Sequence, residues 1–438
     1  MGKDKLKVLT VNVSDSSGGA ARAAYRIHRA VCNAGVEGQF LVKHKQLIDP
    51  QVIALQSFDS HQNLKAPFRW LQHKIKNKLQ QARWRPYPQR EDVFMSDLRG
   101  VSLHGALQKL DYDVLHLHWI NLRFVDIRDL AKITKPIVWT LHDCWPFTGI
   151  CHYFYDCTRY TDSCGCCPHL HSSDAKDLSY QAWKTKLSVF SQLNIQVVCP
   201  SNWLADAARS SSILGQFPVS VIPNPIDSDY FSPGSKTEAC RYLNLDPSKS
   251  YILYGAMNAV NDKNKGFAEF KTSMQHFEAS YPTQNLEILV FGSADEANLE
   301  LKHIPQRSLG MLNDEQLLAA YRASAVMVVP SLSENLSNII MESLSCGTPV
   351  VGFNIGGNSD MIVHQHNGYL ARKLDTQDMA AGIHFCLHND ELSVAARNKV
   401  LDCFNAKLVG QKYMSVYETS MTAKADAKED EKHSTFAE

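Results

Sequence analysis

The sequence predicts an α/β protein built from two doubly wound domains, each with its own parallel sheet. Short apolar, β-branched segments alternate with helical segments over residues 6–199, and the same alternation restarts over residues 251–353. Residues 219–234, which contain prolines and a glycine, separate the two series. Strands that are separated by helices pair in parallel through crossover connections, so each series predicts one sheet covered by helices.

Length and composition fit this class. At 438 residues the chain is long enough for two or three domains, and its 44% hydrophobic and 21% charged residues are typical of a globular enzyme. Lys+Arg and Asp+Glu both number 45, so the overall charge does not favour a nucleic-acid partner. The apolar stretch 8–13 is too short for a signal-peptide core, and no run reaches the roughly 18 apolar residues of a membrane span. We therefore expect a cytoplasmic protein.

The first domain is predicted over residues 1–225. Its strands are short and apolar, and its first helix follows the Gly-Gly pair after the first strand. The predicted elements are strands 6–13, 114–118, 137–141 and 196–199 and helix 20–34.

The second domain is predicted over residues 226–405 and repeats the pattern. Its elements are strands 251–256, 286–291, 326–330 and 348–353 and helices 266–280, 314–323 and 337–345. A C-terminal helix is expected over 406–421, packing back on the first domain. Residues 422–438 are small and charged, which predicts a disordered tail.

Two acidic residues lie in the segment that carries most information on function. Glu334 stands in the loop after strand 326–330, and parallel sheets bind ligands beyond the carboxyl ends of their strands. The loop leads into helix 337–345, whose first amide groups attract phosphate. Glu342 follows about two helical turns later, so we expect both carboxylates to face one ligand. Taken alone, such a pair is more often two solvated glutamates.

The residues around this pair resemble the signature of retaining glycosyltransferase family 4. In that signature two Glu residues with seven residues between them precede Gly-Thr-Pro-Val-Val, as Glu334, Glu342 and residues 347–351 do here. The likeness covers nearly the whole chain and continues in residues 222–227, 309–310, 356–357 and 367–369. It implies the GT-B fold, in which two Rossmann-like domains face each other across a cleft. It also implies a hexosyltransferase-type enzyme that moves a sugar from a nucleotide-diphosphate sugar with retention.

The resemblance also implies roles for single residues. Glu334 faces the donor sugar and Glu342 the nucleotide ribose, and the residues after Glu334 complete the donor site: Asn335, Leu336 and Ser337. The family usually has an Arg shortly before a Lys-Gly pair, and both cations hold the donor diphosphate. Lys265-Gly266 matches the pair, whereas Asn258, Ala259 and Asn261 fill the region of the Arg. Lys263 is the candidate second cation, as a point charge. The alternative is a solvated lysine run.

The resemblance also implies roles for two features of the first domain. Gly18 and Gly19 lie between the first strand and the first helix, where glycine lets backbone approach an anion. The resemblance places them at the donor. His142 follows strand 137–141, and family members often carry there a His that contacts the donor sugar. A structural histidine is the alternative, and His116 and His118 compete for the role.

Half of the twelve cysteines fall in an insertion over residues 144–168. Four of them provide enough thiolates for a tetrahedral zinc ion, and we refer to Cys151, Cys157, Cys164 and Cys167 as the four-cysteine set. Such an insertion resembles family 4 enzymes of exopolysaccharide and lipopolysaccharide assembly. A structural zinc site and free buried thiols both stay open as interpretations. Disulfides are less favoured because the expected cytoplasmic compartment is reducing.

Residues 65–90 form a basic amphipathic stretch with eight Lys or Arg and no acidic residue. Aromatic and aliphatic residues are interleaved with the charges, which is typical of a helix that lies on an anionic membrane surface. A solvated helix over the core fits the stretch equally well. Peripheral contact with the inner face of the membrane is therefore one of two expectations.

The predicted mechanism stabilises negative charge on the departing diphosphate. Lys265, Lys263 and helix N-termini supply that stabilisation, so no divalent metal is expected to be needed for chemistry, and Glu334, His142 and Lys265 are the predicted catalytic residues. The resemblance implies a saccharide or lipid-linked acceptor in cell-surface polysaccharide synthesis. Two alternatives stay open. One is a nucleotide-sugar epimerase on the same fold, and the other is a non-catalytic sugar- or lipid-binding partner subunit, which the missing Arg favours.

Overall fold

The computed structural model describes residues 5–58, 83–91, 95–96, 98–255, 262–292 and 298–434. The chain divides into two compact units. The first comprises Met1–Pro200, Leu204–Ile222 and Gly410–Glu438, and the second comprises Ser201–Trp203 and Pro223–Val409. The main crossing therefore falls at Ile222, next to the predicted boundary at residue 225. Most of the basic stretch 65–90 lies outside the described residues.

The first unit contains a seven-stranded, fully parallel sheet in the order β3-β2-β1-β4-β5-β6-β7. Its strands are β1 (Lys7–Ser14), β2 (Glu37–His44), β3 (Val52–Ala54), β4 (Val114–Leu117), β5 (Ile137–Thr140), β6 (Ile195–Cys199) and β7 (Val219–Val221). Strands β4, β5 and β6 are buried along their whole length. Such burial explains why they read as continuous apolar runs rather than as alternating ones.

The second unit contains a six-stranded, fully parallel sheet in the order β10-β9-β8-β11-β12-β13. Its strands are β8 (Ser250–Gly255), β9 (Leu286–Phe291), β10 (Gln306–Gly310), β11 (Val326–Val329), β12 (Val350–Phe353) and β13 (Gly368–Ala371). Neighbouring residues of β8 enter different hydrophobic clusters: Tyr251 and Leu253 join one, Ile252 and Tyr254 the other. Both faces of the sheet are therefore packed, as a doubly wound fold requires.

Helices connect the strands. In chain order they are α1 (Gly19–Asn33), α2 (His104–Leu107), α3 (Leu178–Phe190), α4 (Asn202–Ser210), α5 (Lys236–Tyr242), α6 (Phe267–Ser280), α7 (Asp314–Ala323), α8 (Asn338–Ser345), α9 (Asn358–Met361), α10 (Thr376–Leu387), α11 (Leu392–Cys403) and α12 (Ala406–Ser434). Short 3₁₀ turns occur at Leu55–Phe58, Ile127–Lys132, Arg159–Thr161, Pro168–Leu170 and Lys263–Lys265.

Local sequence signals set several of these boundaries. Helix α7 begins with a capping box, in which the Asn313 side chain accepts from the Gln316 amide and Gln316 reaches back to Asn313. Helix α3 begins at the Asp177 side chain, which accepts from the amides of Ser179 and Tyr180. These side chains satisfy backbone groups that the helix itself leaves unpaired.

The C-terminal helix differs from the prediction. The sequence led us to expect disorder from residue 422, but α12 continues to Ser434. This extension contains Ala, Lys and Glu, which are strong helix formers even where nothing packs against them. From Gly410 onward the helix is part of the first unit. Tyr413 and Tyr417 are fully buried there.

Candidate active site

The strand order locates the ligand-binding edge of each sheet. In the sheet of the second unit the strand numbers fall from β10 to β8 and then rise from β11 to β13, so the strand order reverses between β8 and β11. Doubly wound sheets bind ligands at such a switch point, beyond the carboxyl ends of the strands. Lys265 follows β8 and Glu334 follows β11. The two residues that the sequence assigned to the donor phosphate and the donor sugar therefore lie at the switch point.

The structure brings these two side chains together. The Lys265 ammonium lies 3.6 Å from the Glu334 carboxylate, with side-chain exposures of 26% and 16%. The two loops are tied by backbone contacts as well. The Leu332 amide donates to the Asn264 carbonyl at 2.9 Å, and the Asn264 side chain donates to the Ser333 carbonyl at 2.8 Å. The cation and the carboxylate are thus held at one place by a hydrogen-bonded framework.

Two glycines allow the loops to approach so closely. Gly266 has φ of 69°, and a β-carbon there would collide with the carbonyl oxygen of Pro330. Gly356 has φ of 51°, and a β-carbon there would collide with the carbonyl oxygen of Glu334. Both positions need left-handed backbone and the absence of a side chain. Other residues at these positions would push the Lys265 and Glu334 loops apart.

Glu342 is placed differently from Glu334. It lies in the second turn of α8, has no solvent exposure, and accepts a hydrogen bond of 3.1 Å from the Tyr321 hydroxyl. Glu334 is partly exposed whereas Glu342 is buried, and the expectation that both carboxylates face one ligand stays a prediction. The ribose-binding role of Glu342 stays a prediction, and it requires a ligand that reaches the buried Tyr321–Glu342 contact.

The remaining predicted donor residues surround Glu334. The Asn335 side chain accepts from the Ser201 hydroxyl at 2.8 Å, and Leu336 and Ser337 are buried at the start of α8. Lys263 is exposed, and it is Lys265 whose ammonium approaches Glu334. Asn258, Ala259 and Asn261, which stand where the family has an Arg, lie outside the described residues.

In the first unit the corresponding switch point lies between β1 and β4. Gly18 follows β1 with φ of 91° and stands immediately before α1, which begins at Gly19. The two glycines therefore lie where the sequence placed them, at the carboxyl edge of the sheet, and their donor-binding role stays a prediction.

Three histidines meet at the ends of β4 and β5. The His118 Nδ1 atom lies 3.0 Å from His142 Nε2, and the His116 and His118 rings pack with centroids 4.1 Å apart. Burial lowers the pKa of His142 to about 4 and that of His116 to about 3, and it holds the pKa of His118 well below its usual range. The three histidines that compete in the sequence thus form one neutral cluster, and His142 is its least buried member.

A second polar network follows directly after His142. The Asp143 carboxylate accepts from the Trp119 indole at 2.5 Å and contacts His152 Nδ1 at 2.6 Å, while His152 Nε2 lies 2.8 Å from the Ser96 hydroxyl. Burial raises the pKa of Asp143, but the hydrogen bonds and the nearby His152 lower it overall. Sequence reasoning missed this network, because its members are spread over 56 positions of the chain.

The insertion after Asp143 is anchored by a buried lysine that the sequence analysis did not select. The Lys186 ammonium donates to the carbonyl groups of Trp145, Thr148 and Gly149 and lies 3.8 Å from the centre of the Trp145 ring. Burial lowers the pKa of Lys186 to about 7.

The four-cysteine set occupies the same insertion. Burial raises the pKa of Cys151 and of Cys164 to about 12. Within the described part of the chain, however, no group of three or more His, Cys, Asp or Glu side chains is arranged to hold a metal ion. The geometry therefore lends no support to a zinc site, which stays a prediction.

Comparison with known proteins defines the class of this site. Residues 17–230 match the family model described as Glycosyltransferase Family 4, and residues 249–389 match the model described as Glycosyl transferases group 1. The two matches cover most of both units, so the protein is a glycosyltransferase with the GT-B fold. The chain belongs to glycosyltransferase family 4, as the signature around Glu334 and Glu342 implied.

Individual relatives are distant. The chain is 24% identical over 368 residues to the putative colanic acid biosynthesis glycosyl transferase WcaC of Escherichia coli, covering 79% of this chain and 82% of that one. Sucrose-phosphate synthase from Thermosynechococcus elongatus has a TM-score of 0.65 at 16% identity, covering 96% of this chain and all of that one. HepE of Anabaena in complex with UDP-glucose has a TM-score of 0.61 at 15% identity, covering 94% and 100%. At these identities the two structures establish the fold alone.

In the described ranges, no helix combines the length and the apolar character that crossing a bilayer requires.

Proposed function

We propose that this chain transfers a sugar, with retention of anomeric configuration, from a nucleoside diphosphate sugar to a saccharide or lipid-linked acceptor in cell-surface polysaccharide synthesis. The observation that carries the proposal is the Lys265–Glu334 pair at the switch point of the second unit, 3.6 Å apart on loops locked by Gly266 and Gly356. A cation and a carboxylate at such an edge suit a ligand with a phosphate next to a hydroxylated sugar.

Each side chain of the pair has its own task. The Lys265 ammonium neutralises the charge that develops on the departing diphosphate, and such stabilisation is commonly the largest contribution to catalysis. The Glu334 carboxylate accepts hydrogen bonds from the hydroxyl groups of the donor sugar and orients its anomeric carbon. The HepE complex with UDP-glucose supports a nucleotide sugar as the donor.

The reaction breaks the bond between the anomeric carbon and the phosphate oxygen and forms one between that carbon and the acceptor oxygen on the same face. The acceptor hydroxyl gives its proton to the leaving phosphate oxygen, so the products are the glycosylated acceptor and a nucleoside diphosphate. Glu334 is not assigned as a nucleophile. We infer that charge neutralisation by Lys265, with Lys263 as the second cation, makes a divalent metal unnecessary for this step.

The acceptor class rests on the relatives. WcaC carries colanic acid biosynthesis in its name, and its similarity extends over 79% of this chain, which includes both units. That extent supports an acceptor of the kind used in polysaccharide synthesis, namely a saccharide or a lipid-linked saccharide.

The test incubates the purified chain with a panel of nucleoside diphosphate sugars, with and without a membrane extract that contains acceptors. We expect release of nucleoside diphosphate to depend on the acceptor, and NMR of the product to show the anomeric configuration of the donor. Lys265→Ala serves as the inactive control. Conversion of the donor sugar without an acceptor would instead identify an epimerase, and an inverted product would refute retention. Donor binding with no turnover under any condition would indicate a partner subunit.

A further inference from the structure

The contact between His118 and His142 restricts which ring nitrogens of these two histidines can carry a proton. His118 follows β4 directly and is buried, whereas His142 lies just beyond β5, the neighbouring strand. Their rings are stacked with centroids 5.2 Å apart and an interplanar angle of 25°. The nitrogens that face each other, Nδ1 of His118 and Nε2 of His142, are 3.0 Å apart, which is a hydrogen-bond distance.

Such a nitrogen–nitrogen contact needs one N–H and one lone pair. Two imidazolium rings cannot form it, because both would offer only donors. Burial keeps both rings neutral at pH 7, so each ring carries a single N–H. Two arrangements are then possible, with either His118 or His142 as the donor, and they place the remaining proton of His142 on different nitrogens.

The surroundings of His118 decide between them. Its other nitrogen, Nε2, is buried and has no hydrogen-bond partner among the described residues. If His118 accepted at Nδ1, this Nε2 would be a buried N–H without an acceptor. If His118 donates from Nδ1, Nε2 is only an unpaired lone pair, and buried orphan N–H groups are the rarer case in proteins. The second arrangement is favoured, and it leaves the proton of His142 on Nδ1.

The His118 ring is held in position by the neighbouring His116 ring. The His116 ring packs on it, and both nitrogens of His116 are engaged, Nε2 by the Thr140 hydroxyl at 2.8 Å and Nδ1 by the Tyr417 hydroxyl at 2.7 Å. Tyr413 of α12 contacts the Thr140 hydroxyl at 2.9 Å. The C-terminal helix thus holds the ring stack in place with two buried hydroxyl groups.

We propose that His118 is a positioning residue that sets the tautomer and orientation of His142, so that His142 carries its proton on Nδ1 and acts as a hydrogen-bond donor. The inference rests on the proposed function in one respect, the role of His142 at the donor sugar. A sugar hydroxyl can accept from such an N–H, and a histidine in the other tautomer would offer a lone pair at that nitrogen instead. His118 itself does not contact the substrate in this scheme.

The first test compares two polar substitutions of similar size. In His118→Asn the amide lies near the former Nδ1 position, whereas in His118→Gln it lies near the former Nε2 position. We expect His118→Gln to lower kcat by roughly tenfold or more with little change in the KM for the donor, because orientation acts mainly in the transition state. His118→Asn should recover most of that loss. Equal activity of the two variants would overturn the proposal.

A matched control addresses stability. His28 is a fully buried histidine in the same unit that contacts Thr10 and Cys32. His28→Gln should lower the melting temperature as much as His118→Gln does, with kcat within about twofold of the unchanged protein. If His28→Gln lowers kcat equally, the effect of His118→Gln is one of stability and the proposal fails.

The second test does not depend on turnover. Histidine labelled with ¹⁵N in the imidazole ring gives different shifts for the two tautomers, and the signals missing in His142→Gln identify His142. We expect these signals to show a proton on Nδ1 in the unchanged protein and a mixture of tautomers in His118→Gln. A proton on Nε2 in the unchanged protein would overturn the proposal. If instead the tautomer is as expected but no sugar is transferred, the proposed function fails and the positioning contact stands.

Discussion

The 3.6 Å contact between the Lys265 ammonium and the Glu334 carboxylate makes a specific prediction for Glu334→Gln. In the unliganded protein the carboxylate partly neutralises the cation that is proposed to hold the donor diphosphate. Replacing it with the isosteric amide removes a negative charge next to the phosphate site. Nucleoside diphosphate should therefore bind Glu334→Gln at least as tightly as the unchanged protein, whereas sugar transfer should fall.

The expected magnitudes follow from the exposure of the pair. Both side chains are partly accessible, at 26% and 16%, and ion pairs of this kind contribute about 0–1 kcal/mol to folding. The free energy of unfolding should therefore change little. Loss of the carboxylate from the donor sugar should lower kcat/KM at least about tenfold, which corresponds to about 1.4 kcal/mol of transition-state stabilisation. Lys265→Ala should weaken diphosphate binding and slow turnover together, because the same charge acts in both states.

The measurements are calorimetric titration with nucleoside diphosphate and initial rates of acceptor-dependent nucleotide release. The pair Lys271–Glu300 is a matched control, since Lys271 has a side-chain exposure of 25% and forms an ion pair of 2.5 Å in the same unit. Lys271→Ala and Glu300→Gln should leave binding and rates unchanged. Weaker diphosphate binding in Glu334→Gln, or near-normal transfer in it, would refute the assignment of the pair to the donor.

Three further predictions concern the first unit. Lys186→Met leaves three carbonyl groups without their buried donor, and it should lower the free energy of unfolding by about 3 kcal/mol in denaturant titrations. His28, His116 and His142 have pKa values lowered from 6.5 to about 4 or below, so the unfolded chain gains protons first as pH falls. The free energy of unfolding should be highest above pH 6.5 and should fall between pH 6.5 and 4 by up to about 1.4 kcal/mol per pH unit for each histidine. A free energy of unfolding that does not change over this range would contradict the burial of these histidines in the neutral form. Elemental analysis should find one zinc per chain if the four-cysteine set binds metal, and a content near zero with twelve titratable thiols would leave these cysteines as packing residues.

The elements that the sequence predicted are those with a strong apolar signal. Strand 286–291 and helix 314–323 have the predicted bounds, because a buried β-branched run and a capped helix are both encoded locally. Two of the strands left out of the prediction carry weaker signals. Strand β10 is the clearest case, since its residues Gln306–Gly310 are largely exposed at the edge of the sheet and need not be apolar. Strand β7, at Val219–Val221, lies in what read as a connector.

Glu334 could be selected from the sequence because it follows a predicted strand, and Lys265 because Lys265-Gly266 resembles the Lys-Gly pair of glycosyltransferase family 4. Lys265 and Glu334 are both in loops at carboxyl ends, and parallel strands bring such loops to one edge. Their contact at 3.6 Å depends on more than this, namely on β8 and β11 being neighbours. Which strands are neighbours depends on the order of the whole sheet. Strands β8 and β11 are adjacent in the sheet, although β9 and β10 lie between them in the sequence. No local pattern encodes it.

The histidine cluster shows the same limit more sharply. A sequence reading could rank His116, His118 and His142 as competitors, because each is a titratable residue near a strand end. It could not show that they contact one another, or that a tyrosine 301 positions away holds the first of them. The sequence predicts a helix over 406–421, but the partner of the buried Tyr417 hydroxyl is determined by how α12 packs within the first unit. The tautomer of His142 is therefore encoded jointly by residues from β4, β5 and the last helix. A substitution in α12 can change the chemistry of His142 without altering any residue that touches the substrate.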